Sequence, residues 1–269
     1  MNLVDVHCHL NHEKFKDDLG EVISRAKKAG VKAIVVSGVN PPANKDVLRL
    51  AEKAEQKDKI IKVSLGIYPI DALGLAEGES GLPRQTVPID LEEEFRFIEK
   101  NKNNIVAVGE AGMDFFWDKE HHQQQEENFR KIIRFVRKIK KPLVVHSRKA
   151  EEKSIDVLEE EIKEKEVPVI MHCFSGNKKL IQRAADLGYY FSVPPNIVRL
   201  QHFQILVDMV RLEQLLTETD APWLSPFPDR KNEPAYVAET IKKIAEIKKI
   251  SKEKAAGQIW KNYGKVFGG

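Results

Sequence analysis

Cysteine is nearly absent: Cys8 and Cys173 are the only two in 269 residues. Each follows a histidine in a strand-like run, so the histidine faces one side and the thiol the other, toward packed helices. Two small buried hydrophobic side chains in a reducing compartment fit this placement, and a disulfide-stapled secreted scaffold does not. Long apolar runs are also missing. No stretch approaches the roughly 20 residues that span a bilayer, and no basic segment with an apolar core precedes Leu3. The expectation is a soluble, cytoplasmic protein with no membrane partner and no obligate protein partner. Neither charge predominates: 44 Lys and Arg stand against 41 Asp and Glu, a net of +3 that is no nucleic-acid footprint by itself. Many of these charges fall in stretches such as Glu159 to Lys165 and Lys242 to Lys254, as on solvated helix faces with i,i+4 pairs. A Gly-x-Gly-x-x-Gly phosphate turn is absent as well.

What is present is an alternation. Short apolar runs at Leu3–Val6, Val31–Val36, Ile60–Ile67, Ile105–Gly109, Pro142–Val145, Val167–Met171, Tyr189–Val193 and Gln214–Thr217 read as strands. Between them, helical periodicity covers Glu13–Ala29 (stopped by Gly30), Ala43–Gln56, Leu91–Lys100, Glu120–Lys140, Ala150–Lys165, Lys178–Leu187 and Val198–Val210. Pro234 to Phe267 supplies two more helices, and the Gly- and Pro-punctuated stretch Leu73 to Pro88 reads as a loop insertion. Eight βα units without a phosphate turn favour an α/β fold of the closed (β/α)₈ TIM-barrel type over an open, doubly wound sheet. It is expected to form a single domain over residues 1–269 with extra C-terminal helices.

The chemistry starts at Asp5-Val6-His7-Cys8-His9. On a strand, His7 and His9 face one side about 7 Å apart, with Asp5 beneath them. Alone, a His-x-His pair is a weak sign of metal, because such pairs also occur on exposed edges. Later strand ends carry more of the same: Glu110, His146, His172 and Asp220 each close an apolar run. An imidazole or carboxylate there is costly unless it is paired or bound to metal. In a barrel all these ends surround one mouth, where active sites lie. Four histidines and two carboxylates exceed one tetrahedral ion, and Glu110 can bridge two cations roughly 3.5–4 Å apart.

These motifs resemble the TatD-type deoxyribonucleases, a branch of the metal-dependent amidohydrolase superfamily. The resemblance runs through Val4-Asp5-Val6-His7-Cys8-His9-Leu10, Gly109-Glu110-Ala111-Gly112-Met113-Asp114, Pro142 to Arg148, and His172-Cys173-Phe174-Ser175-Gly176. It continues through Glu218-Thr219-Asp220-Ala221-Pro222-Trp223-Leu224 and Asn232-Glu233-Pro234. It implies that His7, His9, Glu110 and Asp220 hold one ion, and Glu110, His146 and His172 the other. It also implies hydrolysis of DNA phosphodiesters, often as a 3′-exonuclease, with single strands or 3′ ends as substrate.

Residue chemistry adds roles around this resemblance. Two divalent cations acidify a water and clamp phosphoryl oxygens. With Glu110 shared between the cations, Asp220 orients that water and accepts its proton. Histidines suit Zn²⁺, while carboxylates and a DNA substrate allow Mg²⁺ or Mn²⁺. Arg148 either forks onto a phosphate or forms a salt bridge at the rim. Asp5 either orients a ligand histidine or makes an internal hydrogen bond, and Asp114 reads as structural. Phe115-Phe116-Trp117 either stacks an unpaired base or covers the mouth. His12, His121, His122 and His202 lie away from strand ends and read as solvated. Asn232-Glu233-Pro234 reads as a helix start. Two stretches depart from the family pattern: Gly66-Ile67-Tyr68-Pro69-Ile70, which makes Tyr68 a substrate-facing candidate, and Pro194-Pro195. A metal-dependent hydrolase of a small ester, amide or lactone is the alternative, because fold and ligands do not separate the two.

Overall fold

The computed structural model describes residues 1–55, 59–75, 81–163 and 166–268. Its strands are β1 (Leu3–Cys8), β2 (Val31–Ser37), β3 (Ile61–Ile67), β4 (Ala107–Asp114), β5 (Leu143–Arg148), β6 (Val169–Met171), β7 (Tyr190–Val193) and β8 (Leu215–Thr217). All are parallel and lie side by side in chain order. Their β-branched runs are buried on both faces, as in the fully buried Ile34, Val35 and Val36 of β2, because helices cover the outside and side chains fill the inside. The helices are α1 (Leu19–Ala29), α2 (Pro41–Glu55), α3 (Pro69–Ala72), α4 (Leu91–Lys100), α5 (His122–Ile139), α6 (Glu151–Glu161), α7 (Lys178–Asp186), α8 (Gln201–Met209), α9 (Val237–Lys248) and α10 (Lys252–Phe267). The expected TIM-type barrel, followed by two further helices, is what forms. None of the described helices is long and apolar enough to cross a membrane.

Side chains and loop amides close the seam between β1 and β8. Thr217 Oγ1 donates to Val4 O at 2.6 Å, Asp220 N–H to His7 O at 2.9 Å, and His9 N–H to Ala221 O at 2.8 Å. A bulge in β4 breaks simple alternation along both of its edges. Leu65 pairs with Val108 but Ile67 with Ala111, so β4 carries one extra residue at Gly109-Glu110, and β5 meets the same bulge. That bulge turns Glu110 toward the mouth. It needs glycine: Gly109 has φ +137°, and a Cβ there would lie 2.5 Å from Val144 O.

Several boundaries move. Residues Glu13–Phe15 form a 3₁₀ turn, so α1 starts at Leu19. The expected helix Val198–Val210 divides into a 3₁₀ turn, Pro195–Val198, and α8. Lys165 and Gln56, the ends of two other expected helices, lie outside the described residues, as do residues 76–80 of the insertion. The part that follows is pinned to the barrel. Glu13 N–H donates to Gly81 O (3.0 Å), Asn40 Nδ2 to Pro83 O (2.6 Å), and Gln85 N–H to Asp71 Oδ1 (3.1 Å). Residues 81–85 therefore form a wall beside the mouth. Both cysteines are free thiols. Cys8 points outward to Val35 O, whereas Cys173 borders a pocket at the mouth instead of facing helices.

Candidate metal centre

The six strand-end residues meet at the mouth. His7 Nε2 lies 3.0 Å from Glu110 Oε2, 3.2 Å from His9 Nε2 and 3.7 Å from Asp220 Oδ1. His9 Nε2 is 3.5 Å from Asp220 Oδ1. On the other side, His172 Nε2 is 3.6 Å from Glu110 Oε2, and His146 Nδ1 is 3.9 Å from Glu110 Oε1. The donors group as His7–His9–Glu110, as Glu110–His146–His172 and as His7–His172–Asp220, each compact enough to hold a metal ion. Glu110 belongs to two of these groups. A set of imidazole nitrogens and carboxylate oxygens fits a divalent cation of the zinc, manganese or magnesium kind.

Each ring is held from behind, and the holder fixes its tautomer. His9 Nδ1 donates to Ser37 O at 3.1 Å, which leaves the Nε2 lone pair facing inward. His7 Nδ1 is 3.1 Å from Ser37 Oγ. His172 Nδ1 donates to Glu218 Oε2 at 2.7 Å. His146 is turned the other way: Nε2 donates to Asp114 Oδ2 at 2.9 Å, and Nδ1 faces Glu110. Glu218 is fully buried and also accepts from Ser192 Oγ (2.7 Å) and Cys173 N–H (2.9 Å). Neither Glu218 nor Ser37 stood out in the sequence. Glu218 had the same signal as Asp220, an acid closing an apolar run.

Charge in this enclosure follows from the neighbours. Burial pushes the Glu110 carboxyl up, but His7, His146 and His172 more than offset it and hold it well below the usual carboxylate range. Asp220 is depressed in the same way, with burial opposed by His9, His172 and His7. Burial and the nearby His172 push His7 down, so it stays neutral, the form a metal needs. Burial alone would lower His172 too, yet Glu218, Asp220 and Glu110 push it up to about 10.

The remaining candidates separate. Tyr68 lines a narrow pocket at the centre, and its hydroxyl donates to Asp114 at 2.8 Å. Asp114 also accepts from Phe116 and Trp117 N–H, both at 2.9 Å, so it shapes the loop after β4 as well as anchoring His146. Arg148 makes no ion pair among the described residues; its guanidinium lies 4.0 Å above the Phe116 ring. Asp5 takes the internal role. It accepts from His7 N–H (3.2 Å), Thr219 N–H (2.9 Å) and the Thr219 hydroxyl, and burial pushes its carboxyl well up.

His12 is not solvated but buried, its ring between Trp223 (5.2 Å) and Gly81, where a Cβ would collide with it. Nor is His202 free in solvent, since it bonds Phe174 O at 3.0 Å. His122 stacks on Phe115 at 3.7 Å, while His121 is exposed beside Asp118. Pro234 opens a 3₁₀ turn, Pro234–Tyr236, that runs into α9 as expected, with Glu233 at its N-cap, but no side chain caps it. Asn232 Nδ2 donates to Thr219 O (2.7 Å) and Trp223 O (2.6 Å), and Glu233 receives both Nε and Nη2 of Arg25. They brace the loop that carries Asp220.

Two pockets share the centre. The narrow one, about 60 Å³, is walled by Trp223, Tyr68, Asp71 and the inserted Leu82, Pro83 and Arg84. The wide one, about 360 Å³, opens toward Arg148, Asn196, Leu200 and Phe203. His146, His172 and Asp220 border both.

Comparison with known proteins places this site in context. A family model described as TatD related DNase matches residues 4–268. An uncharacterized metal-dependent hydrolase of Bacillus subtilis, YabD, is 33% identical over 98% of each chain. Human deoxyribonuclease TATDN3 is 31% identical over 99% of this chain and 95% of its own. Among solved structures, the TatD homolog YJJV of Escherichia coli superposes with a TM-score of 0.84 at 25% identity, covering 99% of this chain and 98% of that one.

Proposed function

The chain belongs to the TatD-related DNases, a family of metal-dependent hydrolases, and from that premise we propose that it hydrolyses DNA phosphodiesters at strand ends with a dinuclear divalent-metal site. One observation carries the dinuclear reading: Glu110 sits within 3.0–3.9 Å of a ring nitrogen on both sides of the mouth. In this reading His7, His9, Glu110 and Asp220 hold one cation, and Glu110, His146 and His172 the other. When bound, the two cations supply an acidified water and neutralise the charge that gathers on the phosphoryl oxygens. Asp220, its carboxyl depressed, is ionised at neutral pH and takes the proton of the attacking water. Asp114 and Glu218 orient His146 and His172 so that their other ring nitrogens face Glu110 and the centre. Arg148, planted on Phe116, holds a phosphate on the wide side, while the Tyr68 ring borders the narrow one.

A second reading, hydrolysis of a small ester, amide or lactone, is favoured by the narrow pocket, where Val39, Leu82, Pro83 and Trp223 enclose about 60 Å³. The two are separated by a time course on 3′-recessed and single-stranded oligonucleotides, using metal-stripped protein reloaded with Mg²⁺, Mn²⁺ or Zn²⁺. Stepwise shortening that needs metal and vanishes in Asp220→Asn and Glu110→Gln is the expected result. A protein that retains two ions and cleaves no oligonucleotide would sink the DNA reading and move attention to carbonyl substrates.

A further inference from the structure

The two pockets at the mouth are unequal, and the inequality bears on what can be attached to a phosphorus atom between them. The insertion builds the narrow one, and its wall has a fixed seat. The His12 ring fills the place that a Cβ on Gly81 would take, and Gly81 itself has φ +96°. Glu13 N–H donates to Gly81 O at 3.0 Å, and Asn40 Nδ2 to Pro83 O at 2.6 Å. Leu82, Pro83 and Arg84 are thereby held in the wall of a pocket that Glu110, His146, His172 and Asp220 also line.

Size and charge say what fits there. About 60 Å³ holds a few waters, or the free oxygens of one phosphoryl group, but not a sugar. The wide pocket, which shares His146, His172 and Asp220 with it, has about 360 Å³, in the range of small-ligand sites. A phosphorus atom at the shared centre thus has a place for one carbon substituent, on the wide side. A diester carries two and must turn the second out of the mouth. What the narrow pocket offers instead is charge. Arg84 stands in its wall, near enough to Asp71 to draw that carboxyl down against the burial that pushes it up to about 6. A guanidinium suits the second negative charge that a phosphate monoester has and a diester lacks. Asp71 accepts Gln85 N–H at 3.1 Å, and an anion beside it favours its protonated form, which adds an O–H donor to the pocket.

We propose that the centre also hydrolyses small phosphate monoesters, with the alcohol part in the wide pocket and Arg84 receiving the extra charge of the terminal phosphoryl group in the narrow one. Water attacks phosphorus and gives one proton to Asp220, and the P–O bond to the alcohol breaks. The proton passes from Asp220 to the departing oxygen, so the products are the free alcohol and inorganic phosphate. This activity is additional to cleavage of DNA. It rests on the reading of the centre as one that attacks phosphorus, and the test below keeps the two activities apart.

Metal-loaded protein is titrated calorimetrically with inorganic phosphate and with dimethyl phosphate, in mildly alkaline buffer where phosphate is a dianion. It is assayed in parallel on p-nitrophenyl phosphate and bis(p-nitrophenyl) phosphate. The wild type should turn over the monoester and bind phosphate about tenfold or more tightly than dimethyl phosphate. Arg84→Gln should remove that preference and lower the monoester-to-diester ratio of kcat/KM about tenfold, whereas Arg84→Lys, which keeps the charge, should recover most of both. Arg84 is exposed, so both variants should melt with the wild type. Equal affinity of the wild type for the two anions would overturn the proposal, as would a protein that retains its ions and leaves the monoester intact. An Arg84→Gln protein with an unchanged ratio would overturn it too. If oligonucleotides are shortened but the monoester is not hydrolysed, the monoesterase falls and the nuclease reading stands. If the monoester is hydrolysed through Arg84 and no DNA is cut, the reverse holds.

Discussion

The two histidine pairs at the mouth are held by different chemistry. On the β1 side, His7 and His9 rest on one residue of β2, Ser37, through its hydroxyl and its carbonyl. On the β5–β6 side, His146 and His172 each rest on a buried carboxylate, Asp114 and Glu218. A neutral holder orients a ring without adding charge beside it. A carboxylate also makes the ring more basic and a stronger ligand. Burial and His172 push His7 down, while Glu218, Asp220 and Glu110 push His172 up to about 10, so a cation bound at His172 first displaces a proton. In the two-cation reading the two places are unequal, with the stronger hold on a bound cation expected at His146 and His172.

That inequality is open to attack at each holder. Glu218→Gln should have the largest effect, a loss of about 10–100-fold in affinity for one of two cations, read by competition with a chelating dye. Asp114→Asn should act in the same direction but less, about tenfold, since Tyr68 and two backbone amides still organise the loop. Ser37→Ala should cost less than either, because the carbonyl that holds His9 survives; the expected change is a few-fold in affinity and about 1 kcal/mol of stability by thermal melting. A Ser37→Ala loss equal to that of Glu218→Gln would remove the distinction.

The smallest effect on cation binding belongs to the narrow pocket, which shows itself instead as a pH dependence of stability. Burial pushes the Asp71 carboxyl from 3.8 up to about 6. The folded chain then keeps this proton to about pH 6, whereas the unfolded chain releases it near 3.8. Between those values the folded state binds more protons, so stability falls as pH rises and levels off above about 6. Asp71→Asn should remove that slope, worth at most about 3 kcal/mol, in melts of metal-stripped protein across this range. An unchanged slope would place its origin elsewhere.

The fold and the six inward-facing residues were legible because they share one rule: an expensive polar group ends an apolar run. What the rule missed is equally specific. Glu218 ends the same run as Asp220 and points to a ring instead of the centre, a difference of direction that strand alternation does not give. Ser37 looks like any strand-end serine until β2 lies beside β1. His12 sits in a loop and reads as wet, but Gly81 and Trp223, far along the chain, close over it. Asn232 and Glu233 precede a proline, as helix starts do, yet their partners Thr219, Trp223 and Arg25 belong to distant segments. Local patterns named the chemistry, and the long-range partners were decided by closure of the barrel.

That closure has a consequence for how the protein is made. Thr217 and Val4 are 213 positions apart and share a hydrogen bond, and in the same seam the Asp220 amide bonds the carbonyl of His7. His7 and His9 therefore have no Asp220 beside them until the segment after β8 has been made and has closed the seam. Without β8 the candidate ligands are spread along an open sheet edge. The site the proposed chemistry needs is assembled only when β8 and the loop after it close on β1.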